Sequence, residues 1–398
     1  MKEKVLLVND FYSEGGAEKV CQQIEELIKK QGGDVLFFYG SERHKNPRSP
    51  LGYIYSLKYA NEMREKIRFF KPDIIHIHNY YHLLSPSILH EIRKCRKKGY
   101  FNGKVILTAH DYHLLCPNSG FLYYKQNKIV SHEALPTFRD ILTKRYDRRG
   151  WAYSLLKKIQ WIFNYSLLGV QDQINVVLAP SHFLKEKYSQ KFPGKKNQVI
   201  RNPYDFNIET SARTDKNDSG VLELVFLGRV SPEKGLKEFV HSLSQINFER
   251  YHLDIIGDGP DLVNIEKLIM QLDLSDKIEL VGRIPYEEVI QKMTQYDALV
   301  LPSLWVENAP LVIIEAVIAQ IRLLTSNWGG VKELAELCGG NYLMNPSEMK
   351  SVHASLKSLY TDVCENKLLE RDINKIKKEF SEEIFLQKIT KIYSGKLA

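Results

Sequence analysis

The sequence predicts an α/β protein made of two doubly wound parallel-sheet domains. Three observations carry this: short apolar runs recur along the chain, helical-period stretches separate most of them, and the alternation breaks at a polar segment and starts afresh. A length of 398 residues also fits two or three domains better than one.

The elements follow in order. Residues 4–9 read as a buried strand, and Gly15–Gly16 form the turn after it. Ala17–Lys30 carries Val20, Ile24, Leu27 and Ile28 at helical spacing. Val35–Tyr39 is the next strand and residues 57–70 the next helix, followed by strands at Ile74–Ile77, Val105–Ala109, Val176–Ala179 and Val199–Ile200. The stretch Glu209–Gly220 is polar and aperiodic, as a linker would be. Strands are then expected at Leu222–Leu227, His252–Gly257, Ile278–Val281, Ala298–Leu301 and Leu323–Ser326. Helices are expected at 235–247, 261–271, 286–293, 310–319 and over most of 348–392. In such sheets ligands sit at the carboxyl ends of the strands, which would face a cleft between the domains.

Composition narrows the function classes. At 43% hydrophobic and 26% charged residues the chain is neither largely disordered nor collagen-like. Five cysteines (21, 95, 116, 338 and 364), odd in number and without a C-x-x-C pair, speak for a reducing compartment and against structural zinc. The N-terminus starts a strand at once and carries no signal peptide, and no apolar run reaches the ~18 residues of a spanning helix. A soluble, cytoplasmic protein is expected. The net charge of +8 divides unevenly, with 34 Lys+Arg against 19 Asp+Glu in residues 1–207 and 22 against 29 in the remainder. A basic half implies an anionic partner.

Gly228-Arg229-Val-Ser-Pro-Glu-Lys234-Gly235 follows a strand and precedes a helix. Two cations and a helix N-terminus suit a diphosphate; the bland alternative is a solvated turn with incidental basic residues. Glu307 and Glu315 lie eight apart, an interval that Glu18/Glu26 and Glu279/Glu287 share by chance, so spacing alone says little. Glu315 stands in a nearly all-apolar stretch, where a carboxylate needs donors such as sugar or ribose hydroxyls, neighbouring backbone or an Arg. His110 ends the strand Val105–Ala109, from which it projects into the cleft. His76 and His78 share one strand face as metal ligands might, but no third ligand is evident. Gly15–Gly16 is no dinucleotide fingerprint but allows close backbone approach. Gly329–Gly330 offers the same at another strand–helix junction, while Gly257-Asp-Gly-Pro260 reads as a tight turn. No Asp-x-Asp is present to hold a metal–diphosphate complex. Residues 139–161 interleave Arg139, Lys144, Arg145, Arg148, Arg149, Lys157 and Lys158 with Trp151, Tyr153, Leu155, Leu156 and Trp161. That is either a membrane-surface contact or a solvated helix face packing its aromatics inward.

In sum these blocks resemble the retaining GT-B glycosyltransferases of family 4. The resemblance runs over essentially the full length: Gly-Gly-Ala-Glu-Lys-Val (15–20), Pro-Asp-Ile-Ile-His-Ile-His-Asn (72–79), Thr-Ala-His-Asp-Tyr-His-Leu-Leu-Cys-Pro-Asn (108–118) and Ala-Pro-Ser-His-Phe (179–183). It continues through Arg-Asn-Pro-Tyr-Asp (201–205), Phe-Leu-Gly-Arg-Val-Ser-Pro-Glu-Lys-Gly (226–235), Pro-Ser-Leu-Trp-Val-Glu-Asn-Ala-Pro (302–310) with Glu315, and Trp-Gly-Gly-Val-Lys-Glu-Leu (328–334). It implies two Rossmann-like domains facing across a cleft: an acceptor-binding domain at 1–207, a linker at 208–220, a nucleotide-sugar domain at 221–380, and a helix at 381–398 returning to the first domain. It further implies that Arg229 and Lys234 bind the donor diphosphate, that Glu315 holds the ribose, and that Glu307 contacts the transferred sugar. His110 would reach the donor sugar, Arg283–Ile284 would hold the base, and backbone near Gly16 and Leu311 would approach phosphate. The reaction would be hexosyl transfer without metal or other cofactor, by same-face attack in which the leaving phosphate takes the acceptor's proton. A covalent intermediate is the other route to retention. Relatives with the His-Asp-Tyr block carry further cysteines downstream where this chain has Ser131-His132-Glu133, which leaves Cys116 alone.

The expected partners are therefore a nucleotide-sugar, UDP-linked first and GDP-linked next, and a glycan acceptor on a polyprenyl diphosphate at the inner membrane face, in bacterial surface polysaccharide synthesis. The membrane-facing surface would be Arg145, Arg148, Arg149, Trp151, Lys157 and Lys158. Alternatives are a soluble acceptor and a silent nucleotide-sugar-binding subunit. Nucleic-acid binding lacks any recognisable module.

Overall fold

The computed structural model describes residues 3–12, 15–41, 49–206, 220–246 and 250–396. It divides into two units, Met1–Tyr204 with Glu379–Ala398, and Asp205–Lys378. The expected linker, apart from Gly220, lies outside the described residues.

Unit 1 runs β1 (Val5–Phe11), α1 (Gly16–Lys30), β2 (Val35–Ser41), α2 (Pro50–Ile54), α3 (Leu57–Phe70), β3 (Ile74–Ile77), α4 (Ser87–Lys97) and β4 (Lys104–Thr108). A hairpin follows, β5 (Leu122–Lys125) and β6 (Lys128–Ser131), then α5 (Phe138–Thr143), α6 (Trp151–Trp161), β7 (Val176–Ala179), α7 (His182–Lys191) and β8 (Lys196–Val199). The sheet order is β2-β1-β3-β4-β7-β8, parallel throughout. Every residue of β1, β3 and β7 is buried, as strands covered on both faces require. Helix α1 turns Val20, Cys21, Ile24, Leu27 and Ile28 onto that sheet, and burying each large aliphatic side chain contributes about 1.5–3 kcal/mol. The Ser56 hydroxyl accepts from the Tyr59 N–H to start α3, and the helix stops at Lys71, left-handed at φ 51°, because Pro72 cannot continue it.

Unit 2 runs β9 (Leu222–Leu227), α8 (Leu236–Leu243), β10 (Tyr251–Ile256), α9 (Leu262–Gln271), β11 (Ile278–Gly282), α10 (Tyr286–Met293) and β12 (Ala298–Leu301). It continues with α11 (Val312–Ile318), β13 (Arg322–Ser326), α12 (Gly329–Cys338), β14 (Asn341–Met344), α13 (Met349–Cys364) and α14 (Ile373–Phe380), whose last two residues already count with unit 1. Its parallel sheet is ordered β11-β10-β9-β12-β13-β14. Strands are added outward from β9 first on one side and then on the other, so the order reverses between β9 and β12. Ligands bind at such a switch point, beyond the carboxyl ends of the strands. The last helix, α15 (Glu382–Tyr393), belongs to unit 1, where Gln23 donates to Glu382 (2.9 Å) and the Tyr204 N–H to the Phe380 carbonyl (2.9 Å).

The differences from expectation fall at edges. β8 begins at Lys196, not Val199, and its residues are exposed or half-buried, so no apolar run marked it. β14 and the β5–β6 hairpin were not anticipated for the same reason. Helix α8 ends at Leu243, short of residue 247. All five cysteines are free thiols.

Candidate functional site

In unit 2 the loops leaving β9 and β12 are tied together at the switch point. The Leu304 N–H donates to the Glu233 carbonyl at 2.9 Å. Gly235 takes φ 71°, and a Cβ there would lie 1.9 Å from the Pro302 carbonyl oxygen, so only glycine permits this approach. The result brings Lys234 and Glu307 together: the ammonium donates to both carboxylate oxygens at 2.9 Å, and the Ser303 hydroxyl also donates to Glu307. Both side chains are largely withdrawn from water, at 16% and 6% exposure. Arg229, on the same loop, is exposed. Thus one of the two cations expected to meet a diphosphate is already held by one of the two glutamates. Glu315 is buried within the first turns of α11, whose N-cap is Leu311.

Two motifs behave differently from their sequence reading. Gly330 does not open a ligand space; a Cβ there would lie 1.5 Å from the Asn308 carbonyl oxygen, so the glycine lets α12 start against the Glu307 loop. Gly257–Pro260 is more than a turn, since Val230 N–H donates to the Asp258 carbonyl and Asp261 N–H to the Val230 carbonyl, bracing the Arg229 loop. Arg283 is exposed and pairs with Asp258 at 3.4 Å, with Ile284 half-buried beside it. Such an exposed pair contributes about 0–1 kcal/mol.

In unit 1 the end of β3 and the loops leaving β3 and β4 carry a line of histidines. His110 Nε2 meets His78 Nδ1 at 2.7 Å with the rings stacked, and His76 lies 4.6 Å from His78, centroid to centroid. His76 is satisfied at both nitrogens, by the Tyr393 hydroxyl and by Thr108 Oγ1, each at 2.7 Å, so it is no candidate metal ligand. Burial pushes His110 down to about 4 and His76 to about 3, and it lowers His78 well below the ordinary imidazole value. All three are neutral at pH 7. Asp111 beside them accepts from the Tyr81 hydroxyl (2.5 Å) and the His113 N–H (2.8 Å), and burial lifts it to about 6.

Sequence reading missed two supports of this line. Asp10, wholly buried, accepts the N–H groups of His82, Leu83 and Leu84, and Asn9 accepts that of Asn79; together they shape the loop after β3. The signal was there, two polar residues at the end of an apolar strand. At the first turn, a Cβ at Gly16 would meet nothing within 4 Å, but Glu18 folds its buried carboxylate over Gly15, where a Cβ would lie 2.1 Å from it.

The expected basic surface of residues 139–161 needs correction. Lys158 is buried and donates to the Leu142 carbonyl at 2.7 Å. Arg149 and Lys157 both turn onto buried Asp147, at 2.9 and 3.1 Å, and Arg145 is half-buried and bonded to Asn127. A single buried carboxylate gathers the cations because leaving it unpaired would be costly. What faces outward is Arg139, Arg148, the half-exposed Arg149 side chain and an apolar stripe of Phe138, Leu142, Trp151, Leu155 and Ile159. No described helix is long and apolar enough to cross a membrane. Among the described residues His252, Asp254 and Glu279 bring one ligand atom each within 4.8 Å, but Asp254 already accepts from Tyr296 and His252 and lies 3.8 Å from the Lys292 ammonium.

Comparison with known proteins adds to this geometry. The family model described as Glycosyltransferase Family 4 matches residues 14–207, and that described as Glycosyl transferases group 1 matches 207–379. An uncharacterised 42.6 kDa protein of the cps region of Klebsiella pneumoniae is 27% identical over 379 residues, covering 85% of this chain and 89% of its own. The putative colanic acid biosynthesis glycosyltransferase WcaL of Salmonella typhimurium is 27% identical over 171 residues, 41% of this chain and 42% of WcaL. Among solved structures, the lipopolysaccharide outer core galactosyltransferase WaaB aligns with a TM-score of 0.67 at 16% identity over 100% of both chains. Anabaena HepE, solved with UDP and glucose, aligns at 0.63 and 16% identity over 99% of this chain and 100% of its own.

Proposed function

Since the chain belongs to the GT-B glycosyltransferases of the family 4 type, we propose that it moves a hexose from a nucleotide-sugar, with retention and without metal, onto a glycan acceptor. The observation that carries this is the Lys234–Glu307 pair beside exposed Arg229 at the switch point of unit 2. Cleaving the bond between the anomeric carbon and the diphosphate leaves negative charge on the departing oxygen and positive character on the sugar. Arg229 and Lys234 stabilise the first, and the Glu307 carboxylate, released as Lys234 turns to the diphosphate, orients and stabilises the second. The acceptor oxygen bonds to the same face of the anomeric carbon, and its proton passes to the departing phosphate oxygen. Glu315 takes the ribose hydroxyls, Arg283–Ile284 the base, and backbone near Gly16 and Leu311 the phosphates. His110, neutral at pH 7, contributes hydrogen bonding to the sugar rather than an acidic proton.

The UDP-sugar is favoured over GDP-sugar because HepE was solved with UDP and glucose. Surface polysaccharide synthesis is favoured by the names of the Klebsiella, Salmonella and WaaB relatives. An acceptor on a polyprenyl diphosphate at the inner membrane face accords with the outward apolar stripe and Arg148.

Thermal unfolding with UDP, GDP, dTDP and ADP, on wild type and Glu315→Ala, tests the donor site. A nucleotide at about 100 times its Kd adds about 2.7 kcal/mol, a shift of several degrees. The expected result is stabilisation by one nucleotide, reduced in the variant. No shift with any of the four overturns the donor assignment.

A further inference from the structure

A cavity of about 260 Å³ opens in unit 2 where β13 begins, bounded by the end of α11 and the segment 366–373. This is the opposite end of the sheet from the loops that hold Lys234 and Glu307, which follow the carboxyl ends of β9 and β12. Its lining includes three cations, Arg322, Lys367 and Arg371, and no carboxylate.

The three cations are not equivalent. Lys367 is engaged by Asp362 and by Glu365 at 3.7 Å. Arg322 is buried, and its Nη2 donates to the Lys367 carbonyl at 2.6 Å. Arg371 spends only Nε, on the Gly339 carbonyl at 3.1 Å, while both terminal nitrogens are buried without a hydrogen-bond partner among the described residues. Four N–H donors of a guanidinium are therefore withdrawn from water with nothing to receive them, beside a second buried guanidinium. Burial and Arg322 together hold Arg371 down to about 10. A group in this position either loses stability for the fold or awaits an acceptor. None of the described residues accepts from the Arg371 terminal nitrogens, although Asp362 stands close enough to Arg322 to be lowered by it.

We propose that this cavity binds a small phosphate-bearing anion, held by Arg371 and Arg322. Two planar guanidiniums match a doubly charged tetrahedral oxyanion in both charge and fork geometry. At about 30 Å³ per water of liquid volume the space admits a phosphate with a sugar-sized substituent. The assignment is independent of the glycosyltransferase reading, because none of its residues belongs to the donor or histidine loops.

The test is thermal unfolding of the full chain in inorganic phosphate, at ionic strength matched with chloride, on wild type, Arg229→Ala, Arg371→Met and Gln320→Glu. Gln320 lines the cavity, so its glutamate variant carries a built-in anion. At phosphate about 100 times its Kd, wild type and Arg229→Ala gain about 5 °C in a saturable manner. Arg371→Met shows no saturable gain, and Gln320→Glu starts with a raised Tm and gains nothing further. An equal gain in Arg371→Met and Gln320→Glu, no saturable gain in wild type, or a gain lost only in Arg229→Ala each overturns the proposal. A larger gain with citrate than with phosphate overturns the ligand class. Should Arg371→Met fail to fold, Gln320→Glu decides.

Discussion

Past the carboxyl ends of β9 and β12, unit 2 presents a partly buried ion pair, Lys234–Glu307, and an exposed arginine, Arg229. At the carboxyl ends of β3 and β4 and just beyond them, unit 1 presents three histidines that burial keeps neutral, near wholly buried Asp10. Both rest on six-stranded parallel sheets of closely similar plan. One is held charged and ready for charge development; the other is held neutral and offers only hydrogen bonds. The contrast teaches that a shared sheet plan dictates where loops converge, while the electrical state there is set by which buried groups each loop brings with it.

The comparison breaks most visibly at Lys234. Lys234→Ala leaves Glu307 buried and unpaired, so unit 2 should lose about 3 kcal/mol, and kcat/KM should fall by about 10³ or more. In Lys234→Met/Glu307→Met the stability returns and the activity does not; recovery of both would show that the pair is structural. Arg229→Ala, which strands no partner, should cost about 10²–10³ in kcat with little change in Tm.

Acid sharpens the contrast next. His76 and His110, held at about 3 and 4, stay neutral when folded but take up protons near pH 6.5 when unfolded. The unfolded state thus binds more protons below pH 6.5, and unit 1 loses up to about 1.4 kcal/mol per pH unit for each such histidine as pH falls toward 4. His78 and His113 add to this in the same direction, being depressed by burial as well. Asp111, lifted to about 6, opposes it between about pH 6 and its ordinary 3.8, offsetting one histidine. No histidine of unit 2 (His241, His252 and His353) is fully buried. Hydrogen exchange at pH 7 and pH 5 should show protection falling first in unit 1; an equal fall in both units would refute the neutral-cluster account.

A smaller effect is expected at His78. His78→Asn removes the ring that His110 leans on, and a tenfold drop in kcat with donor KM nearly unchanged is the expected split. A change in Tm alone would reduce His78 to packing. Smallest of all, Trp151→Ser/Leu155→Ser/Ile159→Ser should leave the stability within about 1 kcal/mol of wild type, since all three are exposed, while abolishing flotation with anionic vesicles. Unchanged flotation would detach the stripe from any membrane role.

How much of this was legible depended on burial. Central strands such as Ile74–Ile77 and Leu222–Leu227 announce themselves as apolar runs because both faces are covered. β8 and β14 sit at sheet edges, where half the residues meet water and the run dissolves. Arg229, Lys234, Glu307 and Glu315 were legible as motifs, but the clasp between Lys234 and Glu307 was not. Seventy-odd residues separate them, and only the closure of the loop at Gly235 against Pro302 brings them together. The basic stretch reads as freer than it is because Asp147, which engages Arg149 and Lys157, counts in a sequence as one acid among many.

The placement of α15 has a consequence in time. Tyr393, near its end, completes the hydrogen bonding of His76 in the middle of the first sheet. A ribosome delivers all of unit 2 between those two residues, so the region synthesised first is finished last. Until then the nascent chain must carry an open seam in its earliest domain, and a stop codon between residues 335 and 393 would leave that seam unclosed although every motif had been translated.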